Sequence, residues 1–181
     1  PLLSNVYLHY VFDLWIQWWR KNRCRGEMVV VRYADDFVIG FQHKDEAEAC
    51  LEELRARFAN FGLKLHDGKT RLIEFGRYAA TNRKKRGEKR PETFDFLGFT
   101  HRCGKTRKGG YFVIHRHSVA KRMRATLEAI REALWKRRHR PLAETGEWLG
   151  RVVRGWMNYH AIPGNNRTMR FFKEVNRHWL R

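Results

Sequence analysis

Apolar side chains recur along the first half of the chain with periods that predict a helix, a hairpin and a second helix. The first helix is predicted by apolar residues at steps of three or four: Leu3, Tyr7, Tyr10, Leu14 and Trp18. Residues 28–33 and 37–41 are β-branched and aromatic runs, and the polar tip between them predicts a β-hairpin. A second helix is predicted over residues 44–62, followed by short strands at residues 63–65 and 71–75. This order is typical of an α+β domain.

The second half of the chain shows strand patterns first and helix patterns afterwards. Residues 94–100 and 111–117 resemble two strands joined through a glycine-rich segment. Ser118 is a favourable N-cap for the helix that follows, whose apolar positions are Val119, Met123, Leu127, Ile130 and Leu134. Two further helices are predicted across residues 148–159 and 169–179, and prolines separate all three helices. Three consecutive helices of this kind predict a small bundle.

The positive charge of the chain lies in its second half. Residues 1–76 contain 11 Lys and Arg against 11 Asp and Glu, whereas residues 77–181 contain 27 against 8 and carry the whole net charge of +19. Such a surface favours a polyanionic partner. We infer nucleic acid rather than a membrane or an acidic protein, because the interleaved seven Trp, twelve Phe and six Tyr can stack on bases. The basic residues 77–92 are equally well explained as a solvated loop or as an RNA contact.

Some classes of protein do not fit the sequence. No stretch approaches the roughly 18 apolar residues of a membrane span, and no signal peptide is evident, so we expect a cytoplasmic protein without a membrane partner. The three cysteines are odd in number and far apart, and are expected to be reduced thiols. Because the helical pattern is already running at Leu3, we expect the chain to be a segment of a longer protein.

The most informative motif is Tyr33-Ala34-Asp35-Asp36, between the two predicted strands of the hairpin. Adjacent carboxylates repel one another and are costly to desolvate unless cations neutralise them. Hard oxygen ligands of this kind favour Mg²⁺. An Asp pair is also common turn chemistry. The preceding Tyr, the hydrophobic flanks and the basic aromatic region that follows favour a catalytic metal site over a simple turn.

With these motifs the chain resembles a known family. Tyr-Ala-Asp-Asp on a palm hairpin is the hallmark of reverse transcriptases, and the order of the motifs resembles that of group II intron-encoded enzymes. Residues 1–8 are similar to the palm helix before the hairpin, residues 62–70 to the block after it, and residues 94–99 to the primer-grip hairpin. Residues 154–160, Arg-Gly-Trp-Met-Asn-Tyr-His, resemble a thumb or maturase segment that retrons generally lack.

The resemblance implies an α+β fold with a partial reverse-transcriptase palm in residues 1–117 and a helical thumb or maturase (X) domain in residues 118–181. It implies an RNA-directed DNA polymerase of a group II intron, most simply bacterial, that also acts as a maturase in splicing. The expected partners are intron RNA, an RNA template with a DNA primer, dNTPs and target DNA. Two alternatives stay open: a maturase that acts only by binding RNA, and a reverse transcriptase of retron or defence type.

The resemblance also implies roles for individual residues. Asp35 and Asp36 are expected to bind two Mg²⁺ ions, for which Mn²⁺ can substitute, with Asp35 as the more direct ligand. Lys69 either contacts the leaving pyrophosphate or is a surface lysine after a turn glycine. The residues expected at the nucleotide and the primer are Tyr33, Ala34, Phe96, Leu97, Gly98 and Phe99. The residues expected to bind RNA are Lys121, Arg122, Arg124, Arg131, Arg151 and Arg154.

The family has a third catalytic carboxylate on an upstream strand, which residues 1–181 do not contain. This stretch alone is therefore expected not to polymerise. A zinc site is a separate hypothesis, because His101 and Cys103 lie two positions apart, as do His115 and His117. On a hairpin, each pair shares a face and the four together could bind Zn²⁺. Exposed or RNA-facing histidines are the simpler interpretation.

Overall fold

The amino-terminal helical segment is not a regular α-helix throughout. In the computed structural model, which describes residues 2–180, α1 (Leu2–Leu8) runs into a π-helical turn (His9–Asp13) and then into α2 (Leu14–Asn22). The predicted helix is confirmed, but the apolar stripe that predicts it is exposed. The residues buried instead are Val11, Phe12, Ile16 and Trp19. Apolar residues occupy more than one face of this segment, so their period locates the helix without identifying its buried face.

The predicted hairpin and second helix are confirmed. β1 (Met28–Tyr33) pairs antiparallel with β2 (Asp36–Phe41), and α3 (Lys44–Asn60) follows. One face of the hairpin contributes Met28 and Val30 to a core that also contains the buried residues of α2 and α3. The other face is open among residues 2–180, because Val29 and Val31 are exposed.

An arginine of α3 stabilises the π-helical turn. In a π-turn the backbone hydrogen bonds are spaced one residue further apart than in an α-helix, so carbonyl groups are left without a regular partner. Arg57 donates from Nε to the carbonyl of Val11 at 2.5 Å and from Nη2 to the carbonyl of Tyr10 at 3.3 Å. Its guanidinium also lies over the ring of Phe61, 5.0 Å from the centroid. The irregular turn is therefore fastened to the end of α3.

The strands predicted at residues 63–65 and 71–75 are wrong, because both segments are irregular. The β1–β2 sheet has two strands, and no strand among residues 2–180 pairs with either segment. A short strand needs a hydrogen-bonded neighbour to be stable. The alternation of Leu63 and Leu65 instead reflects packing, since both side chains contact the core formed by α2 and α3.

The second compact unit of the described chain starts at Glu74, directly after the first unit ends at Ile73. Its elements are α4 (Ala79–Lys85), β3 (Phe94–Phe96), β4 (Phe99–Lys105), β5 (Phe112–Ser118), α5 (Ala120–Lys136), α6 (Leu142–His160) and α7 (Arg167–Trp179). The loop interpretation of residues 77–92 needs correction, because α4 forms there. Arg86 holds the end of α4 through ion pairs with Glu74 at 2.5 Å and Glu88 at 2.6 Å.

The α+β class and the three carboxyl-terminal helices are confirmed. β3, β4 and β5 form an antiparallel sheet, and α5, α6 and α7 share a core that includes Met123, Leu127, Leu149 and Phe171. The N-cap of α5 is Val119 rather than Ser118, and no side chain caps this helix. The Ser118 hydroxyl is buried and accepts a hydrogen bond from Asn165 instead. Within residues 2–180, every helix is too short or too polar to cross a membrane.

A buried carboxylate organises the segment that enters the hairpin. Glu46 of α3 is 5% exposed and accepts hydrogen bonds from the backbone N–H of Arg25 at 2.8 Å and from the Cys24 thiol at 3.3 Å. The Arg25 N–H is the main reason that the pKa of Glu46 falls from 4.5 to about 2. Burial, together with this carboxylate, raises the pKa of Cys24 to about 11. Glu46 therefore stays ionised in the folded chain at all but very acidic pH.

We expect Glu46→Gln to destabilise the chain near neutral pH, and the difference from wild type to shrink as the pH falls from 4.5 towards 2. The folded-state pKa of Glu46 is depressed, so its contribution is complete above the unfolded pKa and is lost on the way down to the folded pKa. Urea unfolding at a series of pH values measures both curves. Glu48→Gln, at an exposed position two residues away, is the matched control. A Glu46→Gln deficit that stays constant with pH contradicts this account.

Candidate functional site

The Asp pair lies at the tip of the β1–β2 hairpin. Tyr33 and Asp36 are the last paired residues, so Ala34 and Asp35 form a two-residue turn. Ala34 has a φ of 54°, whereas Asp35 does not have a positive φ. Type II′ turns have this pattern of φ and normally place glycine at the first position. A left-handed alanine costs roughly 1–2 kcal/mol, so the turn is held in place by other contacts.

Both carboxylates are exposed, and neither forms an ion pair with any residue in the described part of the chain. Asp36 is fixed in β2, whereas Asp35 sits in the turn itself. No three His, Cys, Asp or Glu side chains within residues 2–180 are grouped closely enough to hold a metal ion. The two carboxylates nevertheless fit Mg²⁺, which proteins commonly bind through one or two carboxylates while substrate phosphates and waters complete the shell.

Arg32 connects the turn to the amino-terminal helical segment. Its Nε and Nη2 donate to the two carboxylate oxygens of Asp13 at 2.7 and 2.6 Å. Its Nη1 donates to the carbonyl of Ala34 at 2.7 Å and to Oδ1 of Asn5 at 3.1 Å. The hydrogen bond from Arg32 is the main reason that the pKa of Asp13 is lowered. The prediction from sequence missed both Arg32 and Asp13.

Lys69 lies in a turn whose backbone is closed by a hydrogen bond from the Lys69 N–H to the carbonyl of His66, at 2.9 Å. Its side chain is exposed. No hydrogen bond or ion pair within the described residues joins it to Asp35 or Asp36. Both sequence-based interpretations of Lys69 therefore stay open, and its role is a proposal.

The segment predicted as one strand over residues 94–100 is two strands joined by a tight turn. Phe96 pairs with Phe99, and Leu97 and Gly98 between them have φ values of 47° and 78°. Positive φ at both central residues is the pattern of a type I′ hairpin turn. A Cβ on Gly98 would lie 3.4 Å from a ring carbon of Tyr159, so the close backbone approach predicted for Gly98 is an approach to α6.

The end of α6 fastens this hairpin to the helices of the second unit. Tyr159 donates from its hydroxyl to the carbonyl of Leu97 at 2.8 Å, and its ring stacks on Phe99 with centroids 5.6 Å apart. His160 lies 5.2 Å from Phe99 and 4.3 Å from Trp156, measured between ring centroids. Residues 154–160, which the sequence identifies only by resemblance, thus have a structural role in holding residues 96–99.

A buried polar network completes the attachment. Asn165, between α6 and α7, donates from Nδ2 to the Ser118 hydroxyl and to the carbonyl of His160, both at 2.8 Å. The Ser118 hydroxyl lies 3.1 Å from Nδ1 of His160. Burial lowers the pKa of His160, and the charge of Arg122 acts in the same direction. The sequence does not single out Asn165, because asparagine is common next to a Pro-Gly turn whether or not it has a buried structural role.

The four-residue zinc site is wrong. His101 pairs with Arg116 and Cys103 with Ile114, whereas His115 pairs with Arg102 and His117 with Thr100. Directly opposite residues of an antiparallel pair share a face of the sheet. The two histidines of β5 therefore lie on the face opposite to His101 and Cys103. The ring of His101 stacks on Phe94 instead, with centroids 4.8 Å apart.

The six cations expected to bind RNA differ in how far acidic neighbours neutralise them. Lys121, Arg122 and Arg124 are exposed on α5, and no ion pair joins them to a carboxylate within residues 2–180. Arg154 on α6 is also exposed. In contrast, Arg131 pairs with Glu128, and Arg151 lies 3.5 Å from the carboxylate of Glu147. The beginning of α5 is therefore the most available positive surface among these positions.

Comparison with known proteins agrees with this architecture. Residues 1–101, more than half of the chain, match the family model of the reverse transcriptases (RNA-dependent DNA polymerases). Residues 120–181 match the maturase-specific domain of group II introns. The chain therefore belongs to the group II intron reverse transcriptase and maturase family, whose function is RNA-directed DNA polymerisation with maturase activity. No curated protein matches the chain.

We expect Tyr159→Phe to destabilise the second unit by about 0.5–1.5 kcal/mol, because it removes the hydrogen bond to Leu97 but keeps the ring stacked on Phe99. Amide hydrogen exchange at Phe99, which pairs with Phe96 to close the turn, is expected to become faster. Tyr111→Phe is the matched control, since Tyr111 is 74% exposed and its hydroxyl has no partner within the described residues. Equal effects of the two substitutions on stability and exchange contradict the role assigned to Tyr159.

Proposed function

We propose that Asp35 and Asp36 are metal-binding carboxylates of RNA-directed DNA polymerisation. The observation that carries the proposal is the pair of exposed carboxylates at a strained turn, with no ion-pair partner within residues 2–180. Two adjacent negative charges that the protein leaves unneutralised are suited to a divalent cation. Asp35 and Asp36 would hold two Mg²⁺ ions, or Mn²⁺ in their place, which would supply activation of the primer 3′-hydroxyl and stabilisation of the leaving pyrophosphate.

In this proposal, the residues of the hairpin have different roles in binding the metal ions and the nucleotide. Asp35, in the turn, is the more direct ligand, and Asp36 is held by the ladder of β2. Tyr33 shares a face of the hairpin with Asp36, is 66% exposed, and together with Ala34 lines the nucleotide. Lys69 contacts the pyrophosphate. A third carboxylate is supplied from outside residues 1–181, so this stretch by itself does not incorporate nucleotides.

The turn at residues 96–99 holds the primer end, and α5 binds RNA. Tyr159 restrains Leu97, which favours a fixed backbone at the place where the primer strand is seated. The proposed palm covers residues 1–117 and the proposed thumb residues 118–181. The partners are intron RNA, an RNA template with a DNA primer, dNTPs and target DNA. We place the reaction in the cytoplasm of a bacterium.

A maturase that only binds RNA is the second candidate, and the free cations of α5 fit it equally well. The Asp pair favours polymerisation, because an RNA-binding protein gains nothing from two adjacent carboxylates at a turn whose alanine is left-handed. The match of residues 120–181 to the maturase-specific domain supports a group II intron protein over a retron or defence enzyme.

We expect Asp35→Ala, in the polymerase that contains this segment, to abolish primer extension on an RNA template while RNA binding is unchanged. Loss of a metal ligand costs several kcal/mol of transition-state stabilisation, or about 1,000-fold in rate. Glu52→Ala removes an exposed carboxylate of the same unit and serves as the control. Extension and filter binding are measured in parallel. Near-normal extension by the Asp35 variant excludes the catalytic assignment.

The RNA-binding proposal predicts a change in salt dependence. Replacing Lys121, Arg122 and Arg124 together with Gln should weaken RNA binding and flatten its logarithmic salt slope by roughly two units, because each phosphate contact contributes about −0.7 to −0.9. The fold should survive, since all three side chains are exposed.

The matched control for this variant removes three cations that already have carboxylate partners in the first unit: Lys44, Arg55 and Lys64. Its net charge changes by the same amount, but its salt slope should stay close to that of wild type. If the α5 variant keeps its affinity and slope, α5 is not the RNA-binding surface. Met123→Asp instead should unfold the bundle, because it buries a charge without a partner.

A further inference from the structure

Arg32 is a charged residue in a position that the strand pattern reserves for apolar side chains. Residues of β1 alternate between the core and solvent, and Met28, Val30 and Arg32 face the core. The side chain of Arg32 is 15% exposed and that of its partner Asp13 is 24% exposed. A charged pair is costly to bury, so its place in the core face needs a specific explanation.

The hydrogen bonds of Arg32 connect the amino-terminal helical segment to the turn formed by Ala34 and Asp35. Two donors engage both oxygens of Asp13, which gives the bidentate geometry that fixes the plane of a guanidinium. The remaining contacts of Nη1 are with Asn5 and with the carbonyl of Ala34. Because Asp13 fixes the guanidinium from one side, Nη1 is held in a fixed direction towards Ala34.

The carbonyl of Ala34 controls the direction of the first aspartate. A peptide unit is planar, so a fixed carbonyl oxygen also fixes the N–H and the Cα position of the residue that follows, which is Asp35. Ala34 has a φ of 54°, a conformation that alanine does not hold without support. The hydrogen bond from Arg32 supplies support at this peptide.

We propose that Arg32 is a positioning residue for the catalytic turn: held by Asp13, it fixes the Ala34–Asp35 peptide and thereby aims the carboxylates of Asp35 and Asp36. The inference rests on the proposed function of these aspartates. The π-helical turn belongs to the same device, because it ends at Asp13 and is itself fastened by Arg57. The competing explanation is that the Arg32–Asp13 pair only joins the helix to the hairpin.

Arg32→Lys separates the two explanations, because a lysine keeps the charge and an ion pair with Asp13 but has no planar fork to reach Asp13 and Ala34 together. In the polymerase that contains this segment, kcat for primer extension should fall about 10- to 100-fold, the usual effect of losing support for a metal ligand, with a smaller change in KM for dNTP. In the 181-residue chain without metal, amide exchange at Asp36, which pairs with Tyr33 to close the turn, should become at least about tenfold faster, while global stability changes little.

The exchanged pair Asp13→Arg with Arg32→Asp is the sharper variant. It restores an ion pair between the same elements, but an aspartate at position 32 cannot donate to the carbonyl of Ala34. Relative to the single Arg32→Asp variant, we expect stability to recover while fast exchange at Asp36 and low kcat persist. Recovery of all three properties overturns the proposal. If the exchanged pair does not fold, the kcat and exchange of Arg32→Lys decide alone.

Two controls separate this inference from the proposal on which it rests. Arg25→Lys alters another arginine of the same unit, which pairs with the carboxylates of Asp45 and Glu46 away from the turn. It should leave kcat and exchange at Asp36 unchanged. Asp35→Ala tests the catalytic assignment itself. If Asp35→Ala is inactive but Arg32→Lys keeps wild-type kcat and slow exchange, the positioning role is wrong. If Asp35→Ala extends primers normally, the catalytic assignment fails instead.

Discussion

Two neighbouring carboxylates at the end of a two-stranded hairpin impose the main constraint on the first unit. A hairpin of two strands is marginally stable by itself, the aspartates repel each other, and the alanine before them has a left-handed backbone. The contacts that support the hairpin and its turn come from the core face of the hairpin. The core face of the hairpin packs against α2 and α3, Phe12 stacks on Phe37 with centroids 4.6 Å apart, and Arg32 reaches the turn from the same face. The carboxylates themselves are left exposed to solvent and to ligands.

In the second unit, the residues that stabilise the fold differ from the residues that we propose to contact RNA. The fold is stabilised by the apolar core of α5, α6 and α7. It is also stabilised by a polar network in which Asn165 donates to the Ser118 hydroxyl and to the carbonyl of His160. Its cations are divided between those that pair with a carboxylate, such as Arg86 and Arg131, and those that are free for phosphate, such as Lys121. A net charge of +19 therefore overstates the number of positive groups available to a polyanion.

The sequence predicts well those elements whose signal is local. The β1–β2 hairpin, α3 and the three final helices have clear periods, and the Asp pair has a motif that is specific to its family. The predictions fail where contacts between residues far apart in the chain determine the local structure. Residues 63–65 alternate like a strand because Leu63 and Leu65 pack into a core, and α1 and α2 are apolar on several faces. The role of Arg32 depends on Asp13, nineteen positions away in the chain. An arginine at an inward position of an apolar strand is nevertheless a signal that sequence alone offers.

Because of the π-helical turn, the contacts of α1 with the hairpin and with α3 depend on the number of residues in the first helical segment. An α-helix advances about 100° per residue, so deleting one residue between His9 and Asp13 would convert the turn into regular helix and rotate α1 by about that angle relative to α2. Asn5 and Tyr7 would then leave their partners, Arg32 and the carbonyl of Phe61. A substitution at an exposed position such as Tyr10 alters one side chain, whereas a change of length moves every residue of α1. The number of residues from 9 to 13 should therefore be constant among proteins that use this turn to support the proposed metal-binding aspartates, whereas only exposed positions such as Tyr10 should vary freely in identity.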